Sequence, residues 1–133
     1  MVRKVQVLVI RKGDGRILIL RRPAARGSIW QPVTGKCLKG ERARAAALRE
    51  LSEETGIETV LELWPLGYTF GFLSKRGPAT EEVFVTRVPP GVRVRLSHEH
   101  DLFRWVRPDV AERWVAHETI KESIRRLRAR RLA

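Results

Sequence analysis

The chain has 133 residues, with 27 lysines and arginines against 15 aspartates and glutamates, for a net charge of +12. That length suits one domain, residues 1–133, with a real core; no run of about 18 apolar residues is present, which excludes a helical membrane span, and a lone cysteine, Cys37, excludes an internal disulfide and fits a reducing cytoplasm. The positive charge favours anionic partners such as nucleotides, RNA ends and polyphosphates. Met1 to Lys4 carries two charges, but the apolar run after it, Val5 to Ile10, is too short for a secretion signal. That run alternates weakly, is rich in β-branched residues and predicts a strand. Lys12-Gly13-Asp14-Gly15 is a hairpin turn signal, and Ile17 to Leu20 predicts the returning strand. Pro23 to Ser28 reads as a loop, and Trp30 to Thr34 as a short extended piece that leads into Gly35.

A helix is predicted from Glu41 or Arg42 to Thr55, stopped by Gly56 in a left-handed conformation. Leu48 and Leu51 give it an apolar stripe. Beyond it, Glu58 to Phe72 reads as one bent strand or two short ones, broken at Pro65 and Gly67. Ser74 to Thr80 reads as a turn, Glu82 to Val88 as a strand, and Pro89-Pro90-Gly91 as a turn. Leu102 to Val106 is the last predicted strand. Pro108 suits the first turn of a short helix ending near Val115. Thr119 to Arg130 is amphipathic, with Ile120, Ile124 and Leu127 on one face. Arg125, Arg126, Arg128, Arg130 and Arg131 make its end strongly basic, which reads either as a solvated helix end or as a nucleic-acid contact.

The chemistry concentrates in the first helix. Glu50, Glu53 and Glu54 share one face at i, i+3 and i+4 spacing, with no lysine among them. Like charges so placed repel by a few tenths of a kcal/mol per pair. Such a face is either a solvated surface or a seat for a hard cation, and Mg²⁺ prefers carboxylate oxygens together with substrate phosphates. Gly35 and Gly40 before the helix and Gly56 after it hold the acids on a rigid element between two turns.

Gly35 to Ile57 resembles the Nudix box, G-x5-E-x7-R-E-U-x-E-E-x-G-U with U aliphatic. Gly35, Glu41, Arg49-Glu50, Leu51, Glu53-Glu54, Gly56 and Ile57 fill every specified position. Cys37 falls on a variable one. The resemblance implies an α/β/α sandwich around a mixed β-sheet, and hydrolysis of a nucleoside diphosphate linked to another group, with Mg²⁺ or Mn²⁺. It implies Glu50 and Glu54 as metal ligands, Glu53 as a third ligand or the base that activates water, and Arg49 as the residue that orients the glutamates. Glu41 reads as structural: were it helical, it would face away from Glu50. Glu99, in Ser97-His98-Glu99-His100-Asp101, is the outside carboxylate expected to complete the site. His98 and His100 read as loop residues, and His117 as a packing or capping residue.

Substrate choice lies outside the box. Trp30-Gln31-Pro32-Val33-Thr34-Gly35 resembles the WQ-x-V-T-G run of bacterial dihydroneopterin triphosphate pyrophosphohydrolases. Arg21-Arg22, Glu81-Glu82 and Glu99-His100 before Trp105 agree with that subfamily, whereas the loop around Phe72 to Thr80 is shorter than its counterpart. The likeness implies Arg22 and Thr34 as substrate contacts, with Trp30 available for base stacking or core packing. The expected function is hydrolysis of a phosphoanhydride in a nucleoside or pterin triphosphate, releasing pyrophosphate. Alternatives are a dinucleoside polyphosphate hydrolase, an RNA 5′-pyrophosphohydrolase, or a nucleotide- or RNA-binding module without turnover. The expected partner is a small polyphosphate, with RNA possible, and the expected assembly a monomer or homodimer in the cytoplasm.

Overall fold

A computed structural model describes residues 1–130. The chain order is β1 (Val2–Arg11), β2 (Ile17–Arg21), β3 (Trp30–Gln31), β4 (Val33–Lys36), α1 (Ala43–Thr55), β5 (Glu62–Ser74), β6 (Gly77–Val88), β7 (Leu102–Val106), α2 (Pro108–Trp114) and α3 (Glu118–Ala129), with a 3₁₀ turn at Ala24–Arg26. The strands form one mixed seven-stranded sheet. β1 runs parallel to β6 over its whole length, from Val2 opposite Ala79 to Arg11 opposite Val88. Along its other edge β1 changes partner. It pairs with β4 from Lys4 to Val7 and meets β2 only at Ile10. β2 continues outward to β3 and β7.

Both faces of this sheet are covered, which explains the weak alternation of β1: Val5 to Ile10 are all buried. Val5, Val7 and Val9 pack with Ala46, Ala47 and Leu51 of α1. Leu8 and Ile10 point the other way, towards Ala111 of α2 and Ile120, Ile124 and Leu127 of α3. The result is the α/β/α sandwich expected from the sequence. No helix among the described residues is long and apolar enough to cross a membrane.

Of the two arrangements expected after α1, the single bent strand is the one found: β5 has a bulge between Pro65 and Thr69, where Gly67 has φ +85°. The turn that follows differs from the sequence reading. β6 begins at Gly77 rather than Glu82, because the turn is shorter than Ser74 to Thr80. Ser74 pairs directly with Gly77, and its hydroxyl donates to the Gly77 carbonyl at 2.7 Å and accepts from the Arg76 N–H at 3.2 Å. Pro78 is tolerated because it stands at the second residue of the strand.

Candidate metal centre and adjoining cleft

The acidic face of α1 is set by what surrounds Arg49. Its guanidinium donates Nε and Nη2 to the two oxygens of Glu41, both at 2.9 Å. Nη1 reaches Glu50 Oε1 at 2.9 Å and Glu53 Oε2 at 3.1 Å, and Nη2 also reaches the Lys36 carbonyl at 2.7 Å. One planar fork thus ties the loop before the helix, the end of β4 and two helix glutamates together. Glu41 lies before the helix, so its role comes from this clamp and not from a helical face. The Glu41 carboxylate also accepts from the Leu38 N–H at 2.9 Å. Arg49 first, and then that N–H, hold the Glu41 carboxyl down at about 2.

Gly35 of β4 sits beneath Glu50. A Cβ at this position would collide with the Glu50 side chain, so the box begins with glycine because a carboxylate lies on the backbone. Gly35→Ala is expected to displace Glu50, cost about 1–3 kcal/mol in stability, and weaken divalent-metal binding at least about tenfold. Calorimetric titration of the variant with Mg²⁺ measures this; unaltered affinity would show that Glu50 does not hold the ion.

Glu54, one turn beyond Glu50, is 2% exposed, and neither of its oxygens has a hydrogen-bond donor. The segment after β6 is what closes around it. The Arg95 N–H donates to the Thr55 carbonyl at 2.8 Å, and the Ser97 N–H to the Glu54 carbonyl at 3.4 Å. Arg21 at the end of β2 grips Asp101 through two bonds of 3.0 Å. Fixed at both ends, this segment brings Glu99 and His100 to Glu54, with one ligand atom from each of the three within 4.8 Å of the others. Burial, and then the neighbouring charges of Glu50 and Glu99, push the Glu54 carboxyl up to about 10. Glu50 beside it serves as a hydrogen-bond partner only when one of the two carries a proton.

His100 lies in the loop before β7, as expected, but its side chain is turned inward. It is 5% exposed, and its Nε2 lies 3.0 Å from the Gln31 amide nitrogen. Its Nδ1 has no hydrogen-bond partner and stands 3.8 Å from Glu54 Oε1. Burial lowers its pKa, so the ring is neutral and the approach to Glu54 is not an ion pair. Two buried carboxylate oxygens without donors, a second carboxylate and a free imidazole nitrogen form a donor set suited to a divalent cation. A cation would supply the partner that the protein withholds.

The cleft beside these groups encloses about 310 Å³ and is lined by Arg22, Arg26, Gln31, Thr34, Glu50 and Glu99, with Lys4 and Lys36 at its edge. Of the residues singled out in the sequence, Arg22, Thr34, Arg49, Glu50 and Glu99 meet here. The Arg22 side chain makes no hydrogen bond or ion pair with the described residues, so its charge is available to a ligand. Two residues do not join them. The Glu53 side chain is 57% exposed and turned to Arg49. Trp30 packs against Trp114, with ring centroids 5.6 Å apart, on the opposite side from the cleft. Neighbours on a strand point to opposite faces, so Gln31 and not Trp30 enters the site. Strand parity in the Trp30-Gln31 pair was the signal for this; for His100 no spacing in the sequence pointed inward.

The basic end of α3 is largely neutralised. Arg125 binds Glu112, Glu118 and Glu122, Arg126 binds Glu122, and Arg128 binds Glu112, all between 2.6 and 3.1 Å. Arg131 lies outside the described residues. These pairings remove the main reason to place a nucleic acid there.

Residues 1–127 match the model of the NUDIX domain family. An octanoyltransferase of Myxococcus xanthus is 36% identical over 132 residues, which cover 96% of this chain and 37% of that protein. This chain therefore spans little more than a third of that relative. The CTP pyrophosphohydrolase of Escherichia coli (strain K12) is 32% identical over 108 residues, covering 79% of this chain and 76% of that one. In three dimensions the chain is similar to the Caenorhabditis elegans Ap4A hydrolase in its binary complex, with a TM-score of 0.83 at 24% identity over 97% of this chain and 96% of the other. At that identity the likeness concerns the fold alone. The family model over nearly the whole chain, the complete box on α1 and the acids gathered around Glu54 lead to one conclusion: the chain belongs to the Nudix hydrolase family.

Proposed function

We propose that residues 1–133 act as one domain that hydrolyses a phosphoanhydride bond in a nucleoside or pterin triphosphate and releases pyrophosphate. The observation that carries this reading is the buried carboxylate of Glu54, without a hydrogen-bond donor, grouped with Glu99 and His100, which line a cleft together with Arg22, Arg26, Lys4 and Lys36. Glu50, Glu54 and Glu99 would hold Mg²⁺ or Mn²⁺, with the neutral ring of His100 beside them. A bound divalent ion supplies charge neutralisation and lowers the pKa of a coordinated water.

The protein's own groups do the remaining work. Arg22 grips a phosphate, aided by Arg26, Lys4 and Lys36, and Thr34 hydrogen-bonds the substrate. These contacts hold the chain so that a water oxygen attacks phosphorus while the bridging P–O bond breaks and its electrons leave on pyrophosphate. Arg49 positions Glu50. Glu53 would join as a further ligand or accept the water's proton, and to do so it must exchange Arg49 for the cleft. A CTP pyrophosphohydrolase and a bis(5'-nucleosyl)-tetraphosphatase are each 32% identical to the chain, so the triphosphate reading rests on the cationic cleft and on the Trp30-to-Thr34 run. The working protein would be a monomer or homodimer.

A substrate panel with Mg²⁺ tests the proposal: nucleoside triphosphates, dihydroneopterin triphosphate, diadenosine polyphosphates and triphosphorylated RNA, with products identified. Pyrophosphate and a monophosphate are expected from a triphosphate. Release of ATP from a diadenosine substrate, with triphosphates left intact, would overturn the reading.

A further inference from the structure

A second cavity, about 520 Å³, opens from the first and shares Lys4, Arg22, Gln31 and Thr34 with it. Its floor spans two neighbouring rows of the sheet, set by register. Gln6 of β1 stands opposite Thr34 of β4, Lys4 of β1 opposite Glu81 of β6, and Glu81 opposite Phe70 of β5. Phe70 and Phe72 give it an aromatic side, with ring centroids 6.1 Å apart. His117, Thr119 and Ile120, at the start of α3, form the facing wall. At about 520 Å³ the cavity has the volume for a planar ring, and it lies beside the cationic groups assigned to the phosphates.

Glu81 is the unexpected residue in this floor. It is 4% exposed, yet it lines the cavity. Its Oε2 accepts from Gln6 Nε2 at 2.8 Å, and its Oε1 lies 4.0 Å from Lys4 Nζ, too far for a hydrogen bond. Gln6 is fully buried, and in giving its NH₂ to Glu81 it leaves its own Oε1 without a donor. Burial raises the Glu81 pKa, and the Gln6 amide and then Lys4 pull it back down; in its ionised state the carboxylate accepts from Gln6 and keeps lone pairs for a further donor. A strand residue here serving the fold alone would be apolar, as its neighbour Val83 on the same face is. The arrangement instead holds an acceptor open to a cavity with aromatic walls.

We propose that this cavity seats the substrate's heterocycle and that Glu81 accepts two adjacent donors from it, a ring N–H and an exocyclic 2-amino group. That pair of donors belongs to guanine and to pterins. Cytosine and adenine offer one amino donor beside a ring acceptor, which an ionised carboxylate repels. The inference deepens the triphosphate reading above and rests on it for the direction in which the phosphates point.

Binding of α,β-methylene analogues of GTP, ITP and CTP, measured calorimetrically with Mg²⁺, tests the assignment without turnover. ITP keeps the ring N–H and lacks the 2-amino group. The wild-type protein is expected to bind the GTP analogue at least about tenfold tighter than the ITP analogue, on the scale of one hydrogen bond to a charged group, and tighter again than the CTP analogue. In Glu81→Gln the GTP-to-ITP ratio is expected to fall towards one, with the melting temperature reporting that the variant is folded. Equal wild-type affinities, a preference for CTP, or no binding of the GTP analogue would overturn the proposal whatever the variant does. Competition by guanosine and by dihydroneopterin then separates the two sources of the ring. Hydrolysis of unmodified GTP is followed in parallel. Guanine preference without pyrophosphate release would sink the hydrolase reading alone; pyrophosphate release with flat affinities would sink only the role of Glu81.

Discussion

Glu54→Gln is expected to lower the rate of triphosphate hydrolysis at least about 100-fold, the scale of losing a charge that stabilises the transition state, while making the metal-free protein more stable. The two effects share one cause. In the metal-free fold the Glu54 carboxyl is pushed up to about 10 from an ordinary 4.5, first by burial and then by Glu50 and Glu99, against the pull of Arg22. Between those two pH values the folded chain keeps a proton that the unfolded chain has released. Stability therefore falls as pH rises through that window, by up to ~1.4 kcal/mol per unit. An amide has no proton to lose and removes the slope, which raises stability by roughly 3 kcal/mol at pH 7. Thermal unfolding of both proteins in chelator, from pH 5 to 9, measures this. Parallel curves for wild type and variant, or near-normal turnover in the variant, would contradict the role of Glu54.

Arg49→Lys is expected to be nearly as damaging as loss of a ligand, although the charge is kept. Lysine is a point donor and cannot span Glu41, Glu50 and the Lys36 carbonyl as the planar fork does. With Glu41 and Glu50 left short of partners inside a partly buried cluster, we expect a loss of about 1–3 kcal/mol in stability. We also expect a fall of at least about tenfold in turnover with weaker metal binding, because Glu50 is no longer aimed. The Arg49 side chain is 24% exposed, so solvent screens part of the effect. Chemical denaturation and a metal titration on the same preparation separate the two losses. A variant with normal metal affinity would reduce Arg49 to a surface ion pair.

Local pattern carried much of this account, and its limits are physical. The box placed α1 and its glutamates because helix spacing is a local property, and Gly56 ends the helix in the left-handed conformation foreseen, φ +72°. Leu102 to Val106 appeared at its predicted bounds because its turn signals flank it closely. The length of β6 was not legible, since its first residues gain strand geometry from β1 and β5 and not from their own propensity. Glu99 was named through the family resemblance, as the acid outside the box, and the structure brings it to Glu54. His100 was missed because only the Arg21–Asp101 clamp and the backbone bonds to the end of α1 turn it inward, and both join residues far apart in the chain. Trp30 drew the eye as an aromatic, but the parity of a two-residue strand assigned the cleft to Gln31. The salt bridges that quiet the end of α3 involve Glu112, on a helix whose packing against α3 no periodicity announces.

The central claim is that the buried acid of α1 exists to hold a divalent cation, and proton release on metal binding tests it most directly. Mg²⁺ or Mn²⁺ is titrated into the metal-free protein at pH 8 in two buffers of different ionisation enthalpy, and the difference in apparent heat gives the protons released. An ion that takes the carboxylate of Glu54 must displace the proton that burial keeps there. The account predicts about one proton per site in the wild type and none in Glu54→Gln. Binding that releases no proton, or releases the same number in both proteins, would place the metal elsewhere and contradict the claim.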